Sequence, residues 1–165
     1  MVAPIVWVFA GAAAAWGVMK LIENALGRDL TGAEEIWLLG HSHRITRIQH
    51  AVNEAFARER RIFGSNGEDD EGDAFRHCYW AAMLRRDIGR KDAAGFLAIH
   101  EVKPGNDGHQ FVMDTHNNRW GLWTKFDPDT NDQIAKDVLR MLVKGDLLVA
   151  RSDPAKLVKA TEAAK

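Results

Sequence analysis

The chain has 165 residues, 46% of them hydrophobic, which suffices for one compact domain with its own core plus an appendage and falls short of two full domains. Lys and Arg number 22 against 23 Asp and Glu, a net charge of -1, so no global basic field recommends nucleic acid, and such contact would need a local patch. The single cysteine, Cys78, excludes an internal disulfide and a Cys-rich zinc site, which leaves His, Asp and Glu as the ligands any metal would use.

From the N-terminus, Val2 to Met19 carries no charged residue and only Pro4 as a breaker. Extended by Leu21 and Ile22 after Lys20, the run reaches the lower length limit of a helix that crosses a hydrocarbon core. Residues 1–26 therefore read as an apolar N-terminal helix and a possible membrane segment, with Trp7 and Trp16 towards its ends. A buried core helix is one rival. A signal peptide cut near Ala13-Ala14-Ala15 is the other, although it lacks a positive n-region.

Residues 31–165 read as a helical domain. Thr31-Gly32-Ala33-Glu34 has the spacing of a capping box and predicts a short helix ending near Gly40. His41 and His43 then fall in a connector, as surface or capping residues. From Arg44 to Phe63, apolar residues recur at three- and four-residue steps through Ile45, Ile48, Val52 and Ala55, predicting an amphipathic helix. Its polar side is basic, through Arg44, Arg47, Arg58, Arg60 and Arg61, which suits solvent or, more sharply, a phosphate or lipid headgroup. Gly64 to Gly72 has no apolar residue and four consecutive acids, hence a surface loop. The alternating acids and distal Glu of an EF-hand are missing.

Asp73 to Ile88 predicts the central helix, with Gly89 to stop it. Asp73 and His77, four residues apart, lie one above the other at the head of an apolar stripe that Trp80 and Leu84 continue. Asp73 as a plain helix cap, with His77 a core residue held by it, is the simpler alternative. A second helix over Asp92 to Val102 brings His100 and Glu101 to a helix end, before a turn at Pro104-Gly105-Asn106-Asp107-Gly108. Asp114, His116, Asn117 and Asn118 follow within five residues. If a helix begins near Asp114, Asn117 and Asn118 share its face, and Gly121 lets another backbone come close. After a turn at Asp127-Pro128-Asp129-Thr130, Ile134, Val138, Leu139 and Leu142 mark another helix, and Ser152-Asp153-Pro154 opens the last. With no repeat and no alternating strand pattern, the fold class is all-α, a compact helical domain with an apolar N-terminal helix.

The blocks Asp73-Ala74-Phe75-Arg76-His77-Cys78-Tyr79-Trp80, His100-Glu101 and Met113-Asp114-Thr115-His116-Asn117-Asn118, in that order and with Gly121 after them, resemble a bacterial domain of unknown function found at the C-terminal ends of polymorphic toxins and secreted effectors. The resemblance covers about residues 31 to 126. It implies a small toxin-type catalytic domain, secreted or delivered between competing bacteria, with a cognate immunity protein as partner; the apolar N-terminal helix separately suits a secretion chaperone or self-association. It supplies no substrate.

The residues themselves suggest hydrolysis. His77, His100 and Asp114 are the expected ligands of a divalent metal ion such as zinc, which would lower the pKa of bound water to about 7 and polarise an ester or phosphoryl oxygen. Asp73, His77, Glu101, His116 and Asn117 are the candidate catalytic residues, with Glu101 as base or as support to a ligand. Arg76 and Asn118 are candidates for substrate binding. A metal-free version has His77 activate water as a general base oriented by an Asp. That pairing is similar to secreted phospholipases A2, except that Cys78 follows His77 where that family carries Asp, and the disulfides are absent. The apolar N-terminus and the Arg-rich helix point to membrane phospholipid as substrate. A nuclease using the same site, and a membrane-permeabilising toxin whose polar clusters are structural, are the two alternatives.

Overall fold

The computed structural model describes residues 20, 23, 29–102, 108–127 and 129–165. The expected membrane helix over residues 1–26 lies almost wholly outside them, as do Pro104 to Asp107 and Pro128 of the two expected turns. Among the described residues no helix is long and apolar enough to cross a membrane, there is no strand, and seven α-helices make up an all-α fold.

The chain divides between Ile45 and Thr46 into two compact units. In the first, α1 (Gly32–Gly40) starts at the expected capping box: the Thr31 hydroxyl accepts from the Glu34 amide at 3.3 Å, and the Glu34 carboxylate accepts from the Thr31 amide at 2.9 Å. A single turn of tighter helix, Ser42–Arg44, follows. His41 closes α1, its Nδ1 2.8 Å from the Trp37 carbonyl and its ring stacked on that indole at 3.9 Å.

The second unit is built round α3 (Glu71–Ile88), which follows the long α2 (Ile45–Phe63). From Glu71 to Leu84 every residue of α3 except Arg76 is buried. The single apolar stripe expected from the sequence is therefore too narrow, because α3 has neighbours on all sides, and a helix enclosed that way has no solvent face to keep polar. α4 (Arg90–Glu101), α5 (Gly108–Trp123) and α6 (Asn131–Lys144) all pack against it, α5 most extensively, and α7 (Pro154–Ala163) packs on α6. On its remaining side α2 docks through Phe63 edge-on to Phe75, and through the Tyr79 hydroxyl, which donates to Glu54 at 3.2 Å.

Two glycines set this arrangement. Gly89, at φ 87°, ends α3 and is followed at once by α4, so the chain turns within one residue. Gly121 lies where α5 crosses α3: a Cβ there would stand 2.2 Å from the Cys78 carbonyl oxygen and 2.8 Å from the Ala82 nitrogen. Only a residue without a side chain lets the two backbones come that close, as its place in the sequence suggested.

Candidate metal centre

The helix that carries the site is capped by Asp70, so the simpler alternative for Asp73, a plain helix cap, does not hold. Asp70 is the N-cap of α3, its Oδ1 accepting from the Gly72 and Asp73 amides at 2.8 and 3.1 Å. Asp73, one turn inside, keeps its carboxylate for other work. Its Oδ2 accepts the Asp69 amide at 2.7 Å, and its Oδ1 is paired with Arg76 and lies 3.3 Å from His77 Nε2.

The same Nε2 is 3.4 Å from Asp114 Oδ1 on α5, brought over by the close crossing at Gly121. The other ring nitrogen, Nδ1, faces Glu101 Oε1 of α4 at 3.7 Å. That oxygen accepts the Asn118 amide at 2.7 Å, so α5 contributes both an acid to one side of the imidazole and a brace to the acid on its other side. Asp73, His77, Asp114, Glu101 and Asn118 are all buried. Asp73, His77 and Asp114 each offer a ligand atom within 4.8 Å of the other two, and this buried group can hold a metal ion.

Burial alone would strip the charge from these groups, and their neighbours outweigh it. Burial lowers the pKa of His77, but the hydrogen bond to Asp73 and the charges of Asp114, Asp73 and Glu101 raise it above the ordinary histidine value. For Asp73 burial pushes upwards, and the hydrogen bond with His77, the charges of His77 and Arg76 and the Asp69 amide together hold its carboxyl below the usual range. Without a metal, each partner thus favours the charged form of the other.

The remaining candidate residues divide cleanly. Arg76 donates to Glu59 at 2.7 Å and to the Gly67 carbonyl at 3.2 Å besides its pair with Asp73, and lies over the Phe56 ring, so it is fixed in place as a support to Asp73. Glu59, completely buried, was missed in the sequence; the signal was an acid four residues after Ala55 and four before Phe63, on the inner face of α2. His100 is outside the metal-capable group, its ring edge-on to Trp80 at 4.9 Å. Asn117 points away and clasps the chain after α6, donating to the Leu148 carbonyl and accepting its amide, both at 2.9 Å. His116 lies on the far side of α5, with Nε2 2.9 Å from the Asp146 carbonyl and 3.0 Å from the Trp120 indole nitrogen. Close to the cluster, the buried Trp80 indole nitrogen and Asn118 side-chain oxygen meet no hydrogen-bond partner among the described residues.

Fold and site together define an all-α protein with a buried carboxylate–imidazole cluster able to hold a metal ion. Residues 35–146, about two thirds of the chain, match the family described as a domain of unknown function, DUF6973, and the chain belongs to that family. No curated protein and no solved structure matches it significantly.

Proposed function

We propose that the protein is a metal-dependent hydrolase whose divalent ion is bound by Asp73, His77 and Asp114. The observation that carries this reading is the spacing of the donors round His77 Nε2, 3.3 Å to Asp73 Oδ1 and 3.4 Å to Asp114 Oδ1. Ligands bonded at about 2.0–2.2 Å to a tetrahedral zinc ion stand about 3.3–3.6 Å apart. With three protein ligands, a fourth position is left for water or substrate, the pattern of catalytic rather than structural zinc sites. The ion supplies a water of lowered pKa and a Lewis acid for an ester or phosphoryl oxygen.

The other residues follow from their contacts. Glu101, beside Nδ1, fixes the ring so that Nε2 faces the ion, as carboxylates commonly do behind metal-bound histidines. Asn118 holds Glu101, and Arg76 holds Asp73.

Phospholipid is the substrate we propose first, in a toxin-type effector that would require an immunity protein in its producer and would use a secretion chaperone in delivery. Nuclease action at the same site is the second reading. The test is hydrolysis of phospholipid vesicles, of single- and double-stranded nucleic acid, and of simple phosphodiesters by zinc-loaded, chelated and reloaded protein. Turnover that disappears on chelation, returns on reloading and falls by at least a hundredfold in His77→Ala is the expected result. A fully loaded protein that cleaves none of these would refute the hydrolase reading, and cleavage of nucleic acid alone would replace phospholipid with the nuclease.

A further inference from the structure

α5 has a second face that the metal cluster does not use. At 100° per residue, Asp114, Asn118 and Gly121 project towards α3 and α4, while Val112, His116, Arg119, Trp120 and Trp123 project from the opposite side. Val112 is 57% exposed, Trp120 37% and Trp123 64%. A cleft of about 410 Å³ is lined by His116, Arg119, Trp120, Trp123 and Thr124. A second cleft of about 470 Å³ is lined by Arg85, Arg86, Arg90, Lys125, Phe126 and Asp129.

The two clefts meet at one seam. Trp123 and Thr124 line the first, Lys125 and Phe126 the second, and the Arg90 guanidinium lies 4.7 Å from the Trp123 ring centroid. Arg85 and Arg86 are committed to protein groups: Arg85 donates to the Thr124 carbonyl at 2.8 Å, and Arg86 bonds Asp87 and Asn131. Arg90, Arg119 and Lys125 are exposed beside the tryptophans.

We infer that this face of α5 docks on an anionic lipid surface, with Trp120 and Trp123 at the headgroup boundary and Arg90, Arg119 and Lys125 against lipid phosphates. Indoles favour the interface, where the ring is apolar and the N–H stays wet, and each cation near an anionic leaflet adds attraction that salt screens. Single-stranded nucleic acid also takes aromatic rings and cations. Val112, an exposed aliphatic residue on the same face of α5, favours hydrocarbon over stacked bases. The inference deepens the phospholipid reading and rests on it for a biological role, but the face is on the side of α5 away from Asp114, so it anchors the chain and does not feed the cluster.

The test is co-sedimentation of the full chain with vesicles of phosphatidylcholine alone or with 30% phosphatidylserine, and a parallel binding measurement with single-stranded oligonucleotide. Binding to the anionic vesicles, roughly tenfold weaker without phosphatidylserine and roughly tenfold weaker in Trp120→Ala/Trp123→Ala, is expected. A second variant, Arg90→Gln/Arg119→Gln/Lys125→Gln, leaves the aromatic contacts in place and is expected to abolish the preference for phosphatidylserine; circular dichroism checks the folding of both. Anionic-vesicle binding that both variants retain at full strength would overturn the inference, because it would place lipid contact elsewhere, as would oligonucleotide binding without vesicle binding, or no binding at all. Since sedimentation needs no turnover, a catalytically silent protein that binds vesicles separates this inference from the hydrolase reading.

Discussion

Single residues decide which member of each adjacent polar pair enters the site. Neighbours on a helix point 100° apart, so of His100-Glu101 and of Asn117-Asn118 the sequence shows a pair and the packing selects one. The structure turns Glu101 and Asn118 towards His77, and leaves His100 against Trp80 and Asn117 on Leu148. Asp73 with His77 was legible because i,i+4 spacing alone fixes their common face, whereas the distance from either to Asp114 depends on a helix crossing that no local pattern contains. On the proposed reading, Glu101→Gln weakens zinc affinity by roughly 10- to 100-fold while leaving one site per chain, measurable by competition with a chromophoric chelator. Unaltered affinity would remove Glu101 from the metal's support.

The two shifted pKa values give the metal-free protein a pH signature. The raised pKa of His77 adds stability that is complete below its unfolded value of about 6.5 and is lost as pH rises through the folded value. Asp73, with a lowered pKa, adds stability that is present above its unfolded value of about 3.9 and is lost as pH falls through the folded one. The pair therefore contributes fully between about pH 4 and 6.5. Thermal melts of the metal-free protein should show His77→Gln costing most stability in that window and less towards pH 9. Zinc affinity should run the other way, rising with pH while the ion must displace the imidazolium proton. A His77→Gln penalty independent of pH would argue against the ion-paired imidazolium.

At the scale of elements, helix existence was readable and helix boundaries were less so. α2 and α6 carry clear one-sided patterns, and α6 and α7 have good caps: Thr130 and Asp153 each accept the amide expected of an N-cap, and Pro154 opens α7. α5 starts at Gly108, six residues before the start expected near Asp114, because a helix with one face on α3 and another bearing exposed tryptophans has no single apolar stripe to reveal its first turns. The α3–α5 crossing is the element-level joint of the site. Gly121→Ala puts a methyl carbon inside the contact distance of the Cys78 carbonyl and should cost about 1–3 kcal/mol in chemical denaturation, with loss of metal affinity as Asp114 moves away from His77. A stable Gly121→Ala protein with full affinity would mean the crossing has slack that the packing does not show. Asn117→Ala, which removes two hydrogen bonds to Leu148, should cost about 1–3 kcal/mol through the leash between α6 and α7 without touching zinc affinity.

For the whole molecule, composition and periodicity suffice for an all-α fold, while the enclosure of α3 exceeds what a single apolar stripe conveys, because that helix has neighbours all round. What the sequence did not contain is the convergence of α3, α4 and α5 on one imidazole, a property of tertiary packing. An ion bound only by the folded chain stabilises it by mass action, about 2.7 kcal/mol at a free concentration 100 times the dissociation constant. The central claim is tested most directly by the metal content of purified protein after equilibration with zinc and removal of excess, measured for wild type, His77→Ala and Asp114→Asn, with circular dichroism to show that each is folded. The account predicts about one ion per chain in wild type and none in either folded variant. Wild-type protein that binds no zinc, or variants that keep the full complement, would contradict it and leave Asp73, His77, Glu101 and Asp114 as a structural ion-pair network.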